Sequence, residues 1–402
     1  MKYIKNPNGR ELYDKNQVLL CNIKQGNFLK TNKLYYEYFQ MLLQEGQGHI
    51  DWEAVTDENV KKNLKYLFSQ LVNIGYIIQE GDLSKAIEEH YNVIYLSLTN
   101  HCNLRCRHCC VSAGESSTGE MEFEDWMYVI DSILPLHPDS IELTGGEPII
   151  YHDFQRVLRY LRRVYRGAIG LSTNALLINE NNIELIKENI DHISVSIDGY
   201  DEESCHKIRG NGVFHEIISK ILYLKEMGIH QITASMLVTS YTQSHQEEFG
   251  SLCEELGVKP IYRRFAPTGR GGKYDEELMP ESNIYEDINK KELKCVLCKP
   301  GKRELNISSN GDVYPCAPLS TIEDLKMGNI LREPIQSIIH SESFEKKLEQ
   351  LRPWNLTKCQ ECNVNLFCHT CINYILGIRN NPKIFENVCE KTKSILTKTL
   401  WG

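Results

Sequence analysis

The sequence predicts an α/β protein built on a partial (β/α)6 barrel, with a winged-helix-like unit before it and a cysteine-rich unit after it. Three observations carry this. Short β-rich and helical segments alternate from Tyr91 to Pro267. Before that stretch the pattern is a hairpin with helices, and beyond residue 272 the periodicity weakens while cysteines accumulate. The units read as 1–88, 89–272 and 273–402. A chain of 402 residues, 41% hydrophobic and 25% charged, has the proportions of a globular protein of two or three domains. It has no apolar run of roughly 18 residues and no apolar signal core at its start, so a soluble, cytoplasmic protein without a membrane partner is expected.

In the first unit, Val18–Asn32 alternates around Gln25-Gly26 as a hairpin does. Leu34–Leu43 and Asp57–Gly75 read as helices. In the second, Val60, Leu64, Leu67, Leu71 and Ile74 recur at three- and four-residue spacing, with Asp57 as N-cap and Gly75 as stop. Tyr76–Ile78 reads as a short strand. The unit balances eleven Lys/Arg against eleven Asp/Glu, and the chain carries a net charge of -9, so a basic DNA-reading face and a nucleic-acid partner are not expected. A hairpin edge suits a peptide added as a further strand. The plainer alternative is a structural cap.

The barrel strands read as Asn92–Asn100, Ser140–Gly146, Ala168–Asn174, His192–Gly199, Gln231–Thr239 and Lys259–Pro267. Between them lie helical stretches at Phe123–Leu134, Asp153–Arg163, Asn182–Asn189, Val213–Met227 and His245–Leu256. Six such repeats fall short of the eight that close a barrel, and sites in such folds collect where the strands end.

Cysteine is the unusual residue: fifteen in one chain. In a reducing compartment, that many thiols point to a soft metal rather than to disulfides. Cys102, Cys106 and Cys109 form Cys-x3-Cys-x2-Cys directly after the first strand. Three thiolates on one tight loop can hold three irons of a cubane cluster and leave the fourth open. A closed zinc site wants four ligands, and only His101, His108 or Cys110 stands near to serve. At the second strand end, Leu143–Pro148 places Gly145, Gly146 and Glu147. Adjacent glycines let a backbone approach a ligand, and the carboxylate can pair with an ammonium. Ser172, Thr173 and Asn174 end the third strand; Ser196 and Asp198 end the fourth. Alone, each has a plainer reading as turn or helix cap; four successive strand ends of this kind favour a ligand site. Arg209, Arg263, Arg264 and Arg270 suit carboxylates, or form a solvated basic edge.

The three-cysteine loop with Gly145-Gly146-Glu147-Pro148 resembles the signature of the radical S-adenosylmethionine enzymes. That resemblance implies an Fe4S4 cluster on Cys102, Cys106 and Cys109, whose open iron binds S-adenosylmethionine. Reductive cleavage then yields a 5′-deoxyadenosyl radical that abstracts a hydrogen atom. It assigns cofactor contacts to Gly145, Gly146, Glu147, Ser172, Asn174, Ser196 and Asp198, with Glu147 facing the amino group. Two departures stand out: His108 replaces the usual aromatic residue before the third cysteine, and Cys110 follows it.

In the tail, Cys295, Cys298 and Cys316 precede Cys359, Cys362, Cys368 and Cys371, with Cys389 last and Gly311 five positions before Cys316. Eight thiols suffice for two Fe4S4 clusters or two zinc sites, so the count does not choose. The order resembles the SPASM extension of radical S-adenosylmethionine enzymes, although Cys368 and Cys371 enclose two residues where three are commoner. That implies an inner auxiliary cluster on Cys295, Cys298, Cys316 and Cys371 and an outer one on Cys359, Cys362, Cys368 and Cys389, making three Fe4S4 clusters in all. Cys21, Cys110, Cys205 and Cys253 receive no ligand role.

By the same resemblance, the chain is expected to mature a ribosomally made precursor peptide whose leader docks on the N-terminal unit. A flavodoxin- or ferredoxin-like protein would donate electrons. The expected product is an oxidative intramolecular crosslink, a sactionine-type cysteine thioether first and a carbon–carbon or carbon–oxygen ring second. The alternatives are a peptide epimerase, a sulfatase-maturing enzyme and a non-catalytic iron-sulfur or zinc scaffold. Ala317 stands where a sulfatase maturase carries an Asp, which counts against that reading.

Overall fold

The computed structural model describes residues 2–43, 50–87, 90–114, 119–281, 292–295, 298, 300–368 and 371–402. Strand β1 (Tyr3–Lys5) leads into a three-stranded antiparallel sheet of β2 (Gly9–Asp14), β3 (Gln17–Asn22) and β4 (Asn27–Asn32). Helices α1 (Lys33–Leu43) and α2 (Glu58–Asn73) follow, and β5 (Ile77–Gln79) returns to pair with β1. Asp57 accepts from the backbone N–H of Asn59 and Val60, capping α2. Gly75 turns the chain out of the helix at φ +68°. Because strand side chains alternate, β3 sends Val18 and Leu20 toward the helices and Leu19 and Cys21 the other way. Both faces are covered: the first by Tyr36, Phe39 and Leu64, the second by Phe367, Leu396 and Trp401 of the tail. β1 and β2 are additional to the sequence-predicted elements; Gly9–Asp14 shows no clean apolar alternation.

After α3 (Leu83–Ile87) come β6 (Val93–Ser97), α4 (Phe123–Ile133), β7 (Ser140–Thr144), α5 (Phe154–Val164), β8 (Ala168–Thr173), α6 (Ile183–Asn189) and β9 (His192–Ser196). Then follow α7 (Glu202–Arg209), α8 (Val213–Glu226), β10 (Ile232–Val238), α9 (Gln246–Leu256) and β11 (Lys259–Arg264). The six strands pair in sequence order and all in parallel. Ile94, Leu96, Ile141, Leu143, Ile169 and Leu171 are wholly buried in one continuous core with Trp126, Val157 and Leu161 of the helices.

The sheet does not stop at the barrel. Beyond α10 (Asp275–Leu278), β12 (Glu304–Ile307) pairs in parallel with β6. β13 (Asp312–Tyr314) and β14 (Gly328–Asn329) then extend it antiparallel, making nine strands. The tail is therefore grafted onto the barrel's first strand. It ends in α11 (Ile335–Ile339), α12 (Glu342–Gln350), α13 (Asn365–Cys368), α14 (Ile372–Arg379) and α15 (Pro382–Trp401). Among the described residues, no helix is long and apolar enough to cross a membrane.

Candidate active site

The loop after β6 carries Cys102, Cys106 and Cys109, close enough for their charges to act on one another. Each sulfur has one hydrogen-bond donor from the chain. Leu104 N–H reaches Cys102 Sγ at 3.4 Å, Ala113 N–H reaches Cys109 Sγ at 3.3 Å, and Arg209 Nη1 reaches Cys106 Sγ at 3.8 Å. Burial pushes the Cys106 thiol up to about 11, against the Arg209 charge, so deprotonation waits on a bound cation. The loop is anchored by Cys102 N–H on Gly114 O (2.7 Å) and Arg107 N–H on Ile208 O (2.9 Å). Arg270 clamps it through Nη1 on Cys106 O (2.9 Å), Nη2 on Ala113 O and its own N–H on Cys109 O (2.9 Å). A side chain at Gly269 would strike Cys110 O at 2.2 Å, which is why a glycine precedes that clamp.

The strand ends meet this loop through their backbones. A Cβ on Gly145 would lie 2.3 Å from Thr99 O and one on Gly146 2.2 Å from His101 O. The glycine pair is thus required by the chain's own packing. The Glu147 carboxylate, expected to seek an ammonium, is wholly buried and accepts from Thr173 Oγ1 (2.7 Å) and from the N–H of Asn174 (2.8 Å) and Ile149 (3.4 Å). It ties the ends of β7 and β8 together. Asn174 Nδ2 donates to Asn103 Oδ1 at 2.8 Å, joining β8 to the cysteine loop. Ser172 and Ser196 stand half-buried on β8 and β9.

Asp198, at φ +60° just past β9, binds Arg209 through Nε (2.9 Å) and Nη2 (2.6 Å) and accepts Leu237 N–H at 2.9 Å. Burial works against this carboxylate, yet the Arg209 charge holds it below its usual range. Asp198 therefore acts by aiming a guanidinium at Cys106, and its side chain is already engaged. His108 Nε2 lies 3.3 Å from the Asp198 carboxylate; burial lowers the ring to about 4, which keeps the imidazole neutral. Its Nδ1 finds no partner among the described residues. Arg263 reaches Ser194 Oγ at 3.3 Å, and Arg264 stacks on Tyr374 at 3.6 Å. The arginines read as carboxylate binders are thus used by the fold, and the roles of His108 and Arg270 had no signal in spacing alone.

In the tail, the charges of Cys359, Cys362, Cys368 and Cys389 act on one another, so four thiols expected together are brought together. Cys298, Cys316 and Cys371 form a second group. Cys295, expected with them, turns its Sγ toward the carbonyl oxygens of Asn22 (3.6 Å) and Asn27 (3.1 Å). It is wholly buried beside Cys21, held there by its N–H on Gly26 O (3.0 Å) and by the apolar contact of the N-terminal sheet with the tail. The Glu304 carboxylate stands by Cys298 instead, at 3.9 Å, and burial pushes it up to about 7.

The described sulfurs are not gathered at the spacing of a single zinc ion. Around one zinc at about 2.3 Å, neighbouring thiolates would sit roughly 4 Å apart. Among the described residues, no three cysteine sulfurs lie within 4.8 Å of one another. A larger inorganic core, such as an iron–sulfur cluster, takes its thiolates at wider spacing.

Comparison with known proteins agrees. Residues 96–253 match the Radical SAM superfamily and residues 298–363 match SPASM, an iron-sulfur cluster-binding domain. The antilisterial bacteriocin subtilosin biosynthesis protein AlbA of Bacillus subtilis is 23% identical over 74% of this chain and 70% of its own length. The mycofactocin maturase MftC of Mycolicibacterium smegmatis is 26% identical over 66% of this chain and 74% of its own length. The crystal structure of Streptococcus suis SuiB bound to its precursor peptide SuiA shares the fold, with a TM-score of 0.57 at 15% identity, covering 91% of this chain and 97% of SuiB.

Proposed function

We propose that this chain, a radical SAM-dependent enzyme with a SPASM domain, matures a ribosomally made precursor peptide by forming an oxidative intramolecular crosslink. A cysteine thioether is the first choice of bond, and a carbon–carbon or carbon–oxygen link the second. The observation that carries the reading is a groove of about 280 Å³ beside β4 and α2, lined by Leu29, Lys30, Thr31, Tyr35, Tyr66 and Leu67. β4 pairs only with β3 among the described strands, so its outer edge offers main-chain hydrogen bonds to an added strand. A leader peptide fits that edge, in the same chain as an open three-cysteine loop. The names of AlbA, a bacteriocin biosynthesis protein, of MftC, a maturase, and of SuiB, solved with a precursor peptide, support this.

Cys102, Cys106 and Cys109 would hold the radical cluster, and the tail two further Fe4S4 groups. When bound, these supply a hydrogen-abstracting radical from S-adenosylmethionine and an acceptor for the second electron of the oxidation. The chain's own part is positional. Leu104, Ala113 and Arg209 donate to the three sulfurs, and Arg270 keeps their loop seated on the strand ends. Gly145, Gly146, Ser172, Asn174 and Ser196 then border the cofactor. A flavodoxin- or ferredoxin-like donor would supply the reducing electron.

The test is the exact mass of a cysteine-rich precursor peptide treated anaerobically with the reconstituted enzyme. Loss of two hydrogens per crosslink is the expected result. Cys102→Ala should abolish 5′-deoxyadenosine formation; a variant that still makes it would overturn the radical assignment. Tyr66→Glu, at an exposed groove position, should weaken peptide binding while leaving uncoupled cofactor cleavage. Epimerisation is the second reading, with Cys110, the spare thiol directly after the third loop cysteine, as its hydrogen donor. That reading predicts no mass change, with deuterium from heavy water entering a backbone α-position.

A further inference from the structure

The inner face of the barrel carries an acid–imidazole pair, and the strand register places it. On β7 and β9, Ile141, Leu143, Ile193 and Val195 are wholly buried against the helices. Strand side chains alternate, so Glu142, His192 and Ser194 face the other way, into the barrel. The ladder sets Tyr95 opposite Glu142, Glu142 opposite Gly170 and Gly170 opposite His192, one layer across four strands. Within that layer Glu142 reaches over β8, and its Oε1 lies 2.5 Å from His192 Nε2. Gly170 lets it pass: a Cβ there would lie 2.1 Å from the same oxygen.

The pair is open as well as built, with the His192 side chain 38% exposed and that of Glu142 11%. Two residues further along the strands, about 6.6 Å toward the cysteine loop, stand only hydroxyls: Ser97 opposite Thr144, and Ser172 opposite Ser194. Gly146 and Asn174 follow where the strands end. A peptide lying below those ends meets groups that can hydrogen-bond its amides, with the pair beneath it. The hydrogen bond from Glu142 raises His192 above its usual value, against the effect of burial. An imidazole held by a carboxylate is a general base suited to neutral pH.

We propose that Glu142 and His192 together accept the proton that the peptide releases as its crosslink forms. The assignment rests on the chain being a peptide crosslinker, and it names the base for that reaction. One hydrogen atom leaves a peptide carbon for the 5′-deoxyadenosyl radical. The sulfur–carbon bond then forms as the S–H bond breaks; the proton goes to the pair and one electron to an iron–sulfur acceptor in the tail. The peptide loses two hydrogens, while S-adenosylmethionine and one reducing electron become methionine and 5′-deoxyadenosine.

The experiment uses the reconstituted full chain with the cysteine-rich precursor peptide and reads crosslinks formed per 5′-deoxyadenosine. Glu142→Gln and His192→Gln should each lower that ratio by about 100-fold, the scale of a lost general base. Gly170→Ala should lower it too, because its methyl group displaces only the free end of the Glu142 side chain. In the unsubstituted enzyme the ratio should fall as the pH drops through the raised His192 value, and His192→Gln should remove that limb. The other charged groups around the pair are Asp191, held by Arg162 and the Ile169 N–H, and Arg263 and Glu304, which act on Tyr95 beside Glu142. Unchanged ratios in all three variants would overturn the assignment. Should the variants not fold, a flat ratio between about pH 5.5 and 8.5 in the unsubstituted enzyme would do the same. If the unsubstituted enzyme makes 5′-deoxyadenosine with the peptide but removes no hydrogens, the crosslinking reading itself fails, a result distinct from a misplaced base.

Discussion

The cysteine loop of the barrel and the cysteine groups of the tail solve one problem in different ways. In the barrel, three thiols lie on one loop whose backbone is pinned to Gly114, Ile208 and Arg270. Beneath it runs one continuous core of wholly buried side chains on β6 to β9. The tail gathers Cys298, Cys316 and Cys371 from distant positions over small apolar clusters, such as Leu319, Leu325, Leu351 and Ile372. A core that buries little apolar surface cannot offset the entropy of ordering its chain, so bound metal must contribute folding free energy there. On this argument the barrel site is expected to form before its cluster arrives, and the tail sites with theirs.

The largest expected effect follows from that contrast. In hydrogen exchange on iron-free against reconstituted protein, α13 and α14 should lose protection while β6 to β9 keep theirs. β12 should side with the barrel despite lying in the tail, because it pairs with β6. Equal loss in the barrel strands and α14 would break the comparison.

Arginine substitutions sharpen it next. Arg209→Leu leaves Asp198 buried and unpaired, which should cost about 3–5 kcal/mol in urea unfolding. Arg264→Leu removes a stack on Tyr374 between barrel and tail and should cost about 1–2 kcal/mol. If the two cost the same, the buried ion pair is not what positions the loop.

What could be read from sequence follows the same division. Each strand–helix repeat is local, so the six barrel strands and the cysteine loop were legible from short windows. α7 was not: Glu202–Arg209 buries only Ser204, Cys205, Ile208 and Arg209, too few for an apolar stripe. The capping box of Asp201 and Ser204 was the signal available for it. Cys295 illustrates the non-local case. Its spacing from Cys298 suggests a shared metal, yet the turn at Gly26, far away in sequence, holds it elsewhere. No local pattern marks Glu304, since what places it is pairing with Val93. The glycine pair at 145–146 was legible as a close approach, but not as an approach to the chain's own Thr99 and His101.

A pH-dependent effect separates two acids at the ends of β7 and β9. Burial raises the Glu147 carboxyl to about 7 from 4.5, even though Thr173, Asn174 and Ile149 donate to it. The folded state therefore holds this proton more tightly than the unfolded chain. Its contribution to stability is full below pH 4.5 and is lost as the pH rises through 7, a change of roughly 3 kcal/mol. Asp198 runs the other way: its depressed carboxyl stabilises the fold above the ordinary carboxylate range and ceases to do so as the pH falls through its lowered value. Urea midpoints of Glu147→Gln should accordingly flatten the slope between pH 4.5 and 7 and leave the acid limb intact. An unchanged slope in that window would mean that the buried carboxylate between β7 and β8 is stabilised by its three donors as fully as water would solvate it.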